Sequence, residues 1–147
     1  MIAGILGVII AIFCFGILID VPKKYLITAT LVGISNGCVY LICLKMGANT
    51  VLASFFSALT AAFISHIFAR FFKAPVTLFL ITGILPTVPG GGMYRIVANI
   101  LDDSPEVFNS FIETLEIAGV IALAIFIVDA VFRVKKADKN KPDKTPR

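Results

Sequence analysis

The chain has 147 residues, of which 59% are hydrophobic and only 15% are charged, with a formal net charge of +4. So few charged residues cannot coat a water-soluble globule of this size, which excludes a soluble domain. The composition therefore predicts an integral membrane protein.

Five apolar stretches approach the length of about 20 residues that crosses a bilayer. They cover residues 2–19, 25–44, 50–72, 75–101 and 118–132. The sequence therefore predicts an all-α integral membrane protein with five transmembrane helices in one domain, residues 1–134. The first stretch lacks a basic leader and a cleavage site, so we expect it to be retained and not removed as a signal peptide.

The second span carries a polar amide near its middle, in the sequence Gly33-Ile-Ser-Asn-Gly37. Two glycines at this spacing let helix backbones approach closely. The Asn36 side chain needs hydrogen-bond partners from another helix or from a ligand. Asn36 is therefore either a structural contact between helices or a lining residue of a polar path through the membrane.

The third span has two adjacent rows of small residues at helical spacing. One row is Ser54, Ala58 and Ala62, and the next is Ala53, Ser57, Ala61, Ser65 and Ala69. The first row continues into His66 and Arg70, so we expect His66 to face protein and not lipid. Because imidazole titrates at about pH 6.5, His66 is either a proton relay or a hydrogen-bonded residue at the membrane interface.

The fourth span is interrupted by Pro86-Thr-Val-Pro89-Gly-Gly-Gly92. Proline has no backbone N–H, so the carbonyls of Thr82 and Leu85 lose their helical donors. Non-helical backbone at membrane depth is tolerated only where it is buried in protein or lines a wet cavity. Opposed half-helix ends bind substrate in many transporters. The break is therefore either a binding site, which a bulky residue at Gly90 would fill, or a structural kink.

Tyr94 and Arg95 follow the glycines after Met93, and Arg95 either holds a carboxylate or anchors at the lipid headgroups. The predicted substrate-binding residues are Asn36, Thr82, Leu85, Pro86, Pro89, Gly90, Gly91, Gly92, Tyr94 and Arg95. The glycines do not indicate a nucleotide loop, because no Gly-Lys-Ser/Thr follows them.

The fifth span is preceded by a turn and an amphipathic segment over residues 107–115. Near its end Asp129 precedes Arg133 by four residues, the favoured order for a helical ion pair. Asp129 is either a structural partner of Arg133 or a carboxylate that couples transport to protons, so His66 and Asp129 are the proton-coupling candidates. Residues 135–147 are polar, basic and proline-interrupted, which predicts a disordered tail.

The basic residues also predict the orientation of the chain. All but two of the 13 Lys and Arg residues follow the first, third and fifth spans. Because basic loops stay in the cytoplasm, we expect the N-terminus outside and the C-terminus in the cytoplasm. The basic tail is expected to attract anionic membrane lipid. No aromatic residues are interleaved with its charges, so nucleic acid is not an expected partner.

Three phrases carry a resemblance: Gly83-Ile-Leu-Pro-Thr-Val-Pro-Gly-Gly-Gly-Met-Tyr-Arg95, Asp20-Val-Pro-Lys-Lys24 and Arg70-Phe-Phe-Lys-Ala-Pro75. Over roughly residues 15–132 the chain resembles the small-subunit type of the threonine/serine exporter family, which corresponds to the C-terminal membrane half of the fused exporters. The resemblance implies a multi-pass subunit in the bacterial inner membrane that works with a larger membrane subunit. The implied substrate is a small polar metabolite: threonine, serine or, in some two-subunit members, a small dicarboxylate.

No nucleophile with a base, metal cluster or ATP-binding motif is evident, so we expect no enzyme activity, metal or cofactor. The expected mechanism is gradient-driven alternating access. The alternative is a structural or assembly subunit whose broken helix docks a partner without binding substrate. One such chain supplies only half of an inverted-repeat transporter. We therefore expect a larger subunit to dock on the small-residue surfaces at Gly33/Gly37 and on the row from Ser54 to Ala62.

Overall fold

The computed structural model describes residues 2–139 and places side chains for residue 7 and residues 9–134. The described residues form six α-helices and one 3₁₀ turn, with no strand among them. In chain order these are α1 (Ile2–Leu18), α2 (Lys23–Lys45), α3 (Thr50–Phe72), α4 (Val76–Ile84), the 3₁₀ turn Leu85–Thr87, α5 (Gly90–Leu101) and α6 (Val107–Lys139). The prediction of an all-α protein is confirmed.

Three helices are long and apolar enough to cross a membrane: Lys23–Lys45, Thr50–Phe72 and the part of α6 over Val107–Val134. Residues Val76–Thr87 and Gly90–Leu101 pass the same test together, but they are bent by 49° where they meet. The helix α1 is also apolar and has 17 residues. These lengths and compositions are those of a multi-pass membrane protein.

The central helix is α3, and its two rows of small residues explain why. The longer row is buried: Ala53, Ser57, Ala61, Ser65 and Ala69. Ala61 lies in one buried cluster with Val32 of α2 and Phe79 of α4. The row that continues into His66 is also buried: Ser54, Ala58 and Ala62. Ala58 packs with Ile121 of α6. Small side chains thus let α2, α4 and α6 approach the same helix closely.

These small-residue surfaces are covered by helices of the same chain, so the prediction that they dock a partner subunit is wrong. A Cβ atom added at Gly33 would lie 2.7 Å from Cδ1 of Ile12, a buried residue of α1. Gly37 is buried as well, and Ala58 of the other row packs against α6. Close backbone approach is used here to build the bundle itself.

The helices α3 and α6 run in the same direction. Ala58 packs beside Ile121, and further along both helices the Arg70 Nη2 atom donates to the Phe132 carbonyl at 3.2 Å. Because parallel neighbours begin on the same side of the bundle, α4 and α5 together must return the chain to the side where α3 began.

Non-glycine residues in the left-handed region end several helices: Asp20, Lys73 and Asp103. After Lys73, for example, the Ala74 N–H donates to the Ala69 carbonyl at 3.0 Å. This six-residue closure is a Schellman motif, which satisfies a carbonyl that the helix end would otherwise leave free. The chain can therefore reverse direction after α3 within a few residues.

The last helix begins earlier than predicted. The sequence pattern separated an amphipathic entry from a span over residues 118–132, but α6 runs from Val107 to Lys139. The prediction of two separate segments is wrong. No proline interrupts residues 107–132, and Gly119 alone does not break the helix. The helix also includes residues 135–139 of the predicted tail, and residues 140–147 lie outside the described part of the chain.

Candidate functional site

Asn36 of α2 forms hydrogen bonds to the break in the fourth span, and its side chain is fully buried. Its Nδ2 atom donates to the Gly83 carbonyl at 2.7 Å and to the Thr87 Oγ1 atom at 3.2 Å. The Thr87 hydroxyl in turn donates to the Ile84 carbonyl at 2.9 Å. Side chains from α2 and from the 3₁₀ turn therefore satisfy the last carbonyls of α4.

The Asn36 amide also keeps an unused acceptor. Its Oδ1 atom is buried and has no hydrogen-bond partner among the described residues. A buried polar atom without a partner costs about 1–3 kcal/mol. A donor group that reached this atom would recover that cost, so the break has an intrinsic attraction for an N–H or O–H group.

Close packing at Gly83 holds α4 within reach of Asn36. A Cβ atom at Gly83 would lie 2.5 Å from the Val32 Cγ1 atom, so glycine is needed at this contact. The neighbouring Thr82 is fully buried, and its hydroxyl donates to the Leu78 carbonyl at 3.1 Å. Thr82, Gly83 and Thr87 therefore form the polar end of α4 beside the amide.

The prediction that the Leu85 carbonyl stays free is wrong. The Val88 N–H donates to it at 3.3 Å, because the chain tightens into a 3₁₀ turn around Pro86. Beyond Pro89, the Gly90 N–H donates to the Val88 carbonyl at 2.7 Å. The Leu85 carbonyl and the Gly90 N–H are therefore paired within the break, and neither is open to a ligand.

The three glycines at the start of α5 have different surroundings. A Cβ atom at Gly90 or Gly91 would meet nothing within 4 Å, so both positions adjoin open space. Gly92 packs closely against the Thr114 side chain of α6. Tyr94 is 75% exposed, and no residue of α5 is buried.

A polar seam joins α5 to α6. It consists of Gly92, Arg95 and Asn99 of α5 with Ser110, Glu113 and Thr114 of α6. The Arg95 Nη1 atom lies 3.9 Å from the Glu113 Oε2 atom, and the Asn99 Nδ2 atom donates to the Ser110 Oγ atom at 2.9 Å. Apolar residues cover the outer side of α5: Met93, Val97, Ile100 and Leu101. Among the described elements α5 contacts only α6.

The structure brings His66 and Asp129 together. The His66 Nε2 atom lies 3.7 Å from the Asp129 Oδ1 atom. The other oxygen, Oδ2, accepts from the Arg133 Nε atom at 2.6 Å, which confirms the predicted helical ion pair. His66 is 8% exposed and stacks on the Phe132 ring at 4.6 Å between centroids. The prediction that His66 faces protein is confirmed.

A groove of about 460 Å³ begins at this pair. Its walls are Val76, Thr77 and Leu80 of α4 and Ala122, Ile125 and Phe126 of α6. Both helices pack on α3 without packing on each other. Leu80 lies one helical turn before Ile84, so the groove leads from His66 toward the break.

Residues 4–131 match the family model of the Threonine/Serine exporter, ThrE. The chain belongs to the threonine/serine exporter family. The resemblance seen in the sequence is therefore confirmed, and family membership together with the apolar helices assigns a multi-pass membrane protein with an exporter-type transport role. No curated protein and no solved structure matches the chain significantly.

The predicted substrate-binding residues omitted several residues that the structure of this chain places at these contacts. Thr87 and Gly83 meet Asn36, and Glu113 meets Arg95. A threonine between two prolines in an apolar span was the available signal for Thr87. The amphipathic pattern placed Glu113 on a polar side of its helix, but sequence alone did not show that α5 covers that side.

Proposed function

We propose that this chain is one subunit of a bacterial inner-membrane exporter of small polar metabolites, either threonine/serine-type amino acids or a small dicarboxylate. We infer that it works by gradient-driven alternating access, with a larger membrane subunit as its partner. The observation that carries this proposal is the buried Asn36 amide at the helix break, whose Oδ1 atom lacks a partner, in a chain of an exporter family.

The break supplies complementary groups for a small polar substrate. Asn36 Oδ1 accepts from a substrate ammonium or hydroxyl group, and the hydroxyls of Thr82 and Thr87 lie on the adjoining turns. Pro86 and Pro89 keep the backbone non-helical there, and Leu85 belongs to the same 3₁₀ turn. This arrangement binds a substrate when the bundle opens between α2 and the break.

In this scheme Arg95 receives the substrate carboxylate at a separate point from Asn36, because α5 contacts α6 and not α2 among the described elements. Its present partner Glu113 is 3.9 Å away, and both side chains are substantially exposed. Such a pair contributes only about 0–1 kcal/mol, so a bidentate carboxylate can displace it. The same end of the proposed transport path then includes Tyr94 and the three glycines that begin α5, Gly90, Gly91 and Gly92.

The coupling step uses the pair His66 and Asp129. One carboxylate is shared between the imidazole and Arg133. A proton on His66 strengthens its attraction to Asp129 and weakens the hold of Arg133, whereas proton loss returns Asp129 to Arg133. Because α3 and α6 carry the two partners, this exchange changes how the helices hold each other.

The proposed topology has five spans, with the N-terminus outside and the C-terminus in the cytoplasm. The parallel course of α3 and α6 supports it, because α4 and α5 then cross as one span. After residue 147, a reporter that works only in the cytoplasm is expected to be active. At residues 102–104, a reporter that works only outside the membrane is expected to be active. If both positions were on the same side of the membrane, the broken segment would not be a transmembrane span.

The transport proposal is tested by efflux measurements in cells that co-express the larger subunit. Efflux is expected only when both chains are present, and the two are expected to co-purify in mild detergent. A purified preparation of this chain that exports substrate alone would contradict the subunit proposal. Unchanged efflux in cells lacking this chain would contradict its role in transport.

The second candidate is a structural or assembly subunit whose broken helix docks a partner without binding substrate. The exposed apolar side of α5 favours it, since this helix has no buried residue and contacts only α6 among the described elements. Normal export by assembled complexes that carry altered Asn36 and Asp129 would favour this candidate over a substrate-binding subunit.

A further inference from the structure

We propose that the adjacent ends of α3 and α6 form a second binding site, for an oxyanion, centred on Arg70. The site is separate from the break, and it borders the proposed coupling pair through His66. It is built around Phe132, whose ring contacts two side chains of α3. The His66 ring stacks on it at 4.6 Å with 12° between the planes, and the Arg70 guanidinium carbon lies 4.8 Å from its centroid.

These contacts fix the Arg70 side chain in place. Besides the cation–π contact, the Nη2 atom donates to the Phe132 carbonyl at 3.2 Å. A guanidinium carries five N–H donors in a rigid plane, so this single hydrogen bond leaves most of them for a ligand. A fixed plane of donors matches the two oxygens of a carboxylate or phosphate group.

The local charges leave Arg70 uncompensated. The carboxylate of Asp129 is already shared by Arg133 and His66. No carboxylate among the described side chains lies within ion-pair distance of Arg70. With a neutral imidazole the cluster therefore carries one net positive charge, which one monoanionic group would balance.

A cavity of about 230 Å³ opens beside this cluster. Arg70, Arg133 and His66 supply its polar groups, while Ala69 and Ala74 leave room because their side chains are small. The volume accommodates a small metabolite or the head of a lipid. The ligand class is thus an oxyanion, supplied either by the carboxylate of a small metabolite or by a lipid phosphate group. The metabolite source rests on the proposed function, and the lipid source does not.

The experiment uses the full chain in phosphatidylcholine nanodiscs, with the ¹⁵N resonance of the Arg70 Nε–H group as the readout. The probes are L-threonine and succinate as carboxylates, L-threoninol as the analogue without a carboxylate, and added phosphatidylglycerol. A carboxylate is expected to shift the Arg70 resonance, and L-threoninol is not. This measurement is made on the wild-type chain, so it does not depend on the folding of any variant.

Thermal unfolding of two variants provides the matched comparison, because a ligand that binds the folded chain raises its midpoint. R70Q is expected to weaken probe binding roughly tenfold or more. K73Q removes a positive charge one turn away, outside the cavity, and is expected to leave probe binding unchanged.

The outcomes separate the two sources. Arg70-dependent binding of L-threonine or succinate supports the site with a metabolite as ligand, and Arg70-dependent binding of phosphatidylglycerol alone supports it with a lipid as ligand. The proposal would be overturned if no probe shifted the Arg70 resonance. It would also be overturned if R70Q and K73Q lost probe binding to the same extent. None of these measurements requires transport, so a failure of the proposed function would be seen separately in the efflux assay.

Discussion

Replacing Asn36 with leucine is expected to lower substrate efflux by roughly tenfold or more while the protein still inserts into the membrane. Leucine has a similar size but removes the donor to the Gly83 carbonyl and the Thr87 hydroxyl. A buried acceptor left without its donor costs about 1–3 kcal/mol, and about 1.4 kcal/mol corresponds to a tenfold change. The substitution also removes the Oδ1 acceptor proposed to receive the substrate. Efflux per amount of membrane-inserted chain, with the larger subunit co-expressed, measures the effect.

The matched control for this substitution is S35A. Ser35 is the preceding residue on α2, and its hydroxyl donates within its own helix to the Leu31 carbonyl at 2.9 Å. Its removal therefore leaves the break intact, and efflux should stay close to that of the wild type. If N36L exports as well as S35A at equal membrane levels, the break does not bind substrate.

Substituting Asp129 with asparagine is expected to abolish export against a concentration gradient but to retain exchange of substrate across the membrane. Asparagine keeps the shape of the side chain but removes the charge that His66 and Arg133 share. Because Arg133 is 81% exposed and Asp129 is partly exposed, the loss of this ion pair should cost little stability. The complex should therefore assemble but no longer couple substrate movement to protons.

Proteoliposomes that contain both subunits allow the two activities to be measured separately. Net efflux driven by an imposed pH gradient reports coupling, and counterflow of labelled substrate reports exchange. E116Q serves as the control, since Glu116 is an exposed acid on the same helix and undergoes the same chemical change. Equal pH-driven efflux from D129N and E116Q would exclude Asp129 as a coupling residue.

Much of the fold followed from hydrophobic patterning and from the chemistry of proline. The predicted ranges 25–44 and 50–72 nearly coincide with α2 and α3, because long apolar runs end at Pro22, Gly47 and Ala74-Pro75. The start of α6 was not predictable in the same way. A polar side on residues 107–115 indicates a surface segment, but here that side faces α5 and completes the polar seam.

The candidate site was only partly predictable for a related reason. Sequence identified Asn36 and the broken span separately, and the choice between a helix contact and a binding role stayed open. The structure shows that Asn36 contacts the break itself. The pairing of the Leu85 carbonyl with the Val88 N–H depends on a tight turn, and the joining of His66 to Asp129 depends on the packing of α6 on α3. Neither follows from spacing along the chain.

The helix α6 is continuous and carries one residue of each of two distant side-chain contacts. Glu113, which lies beside Arg95, and Asp129, which lies beside His66, are on the same continuous helix. At 1.5 Å per residue they are about 24 Å apart along it. No proline between them allows one half to bend independently of the other. A rigid tilt of α6 that separated Glu113 from Arg95 would therefore also move Asp129 relative to His66.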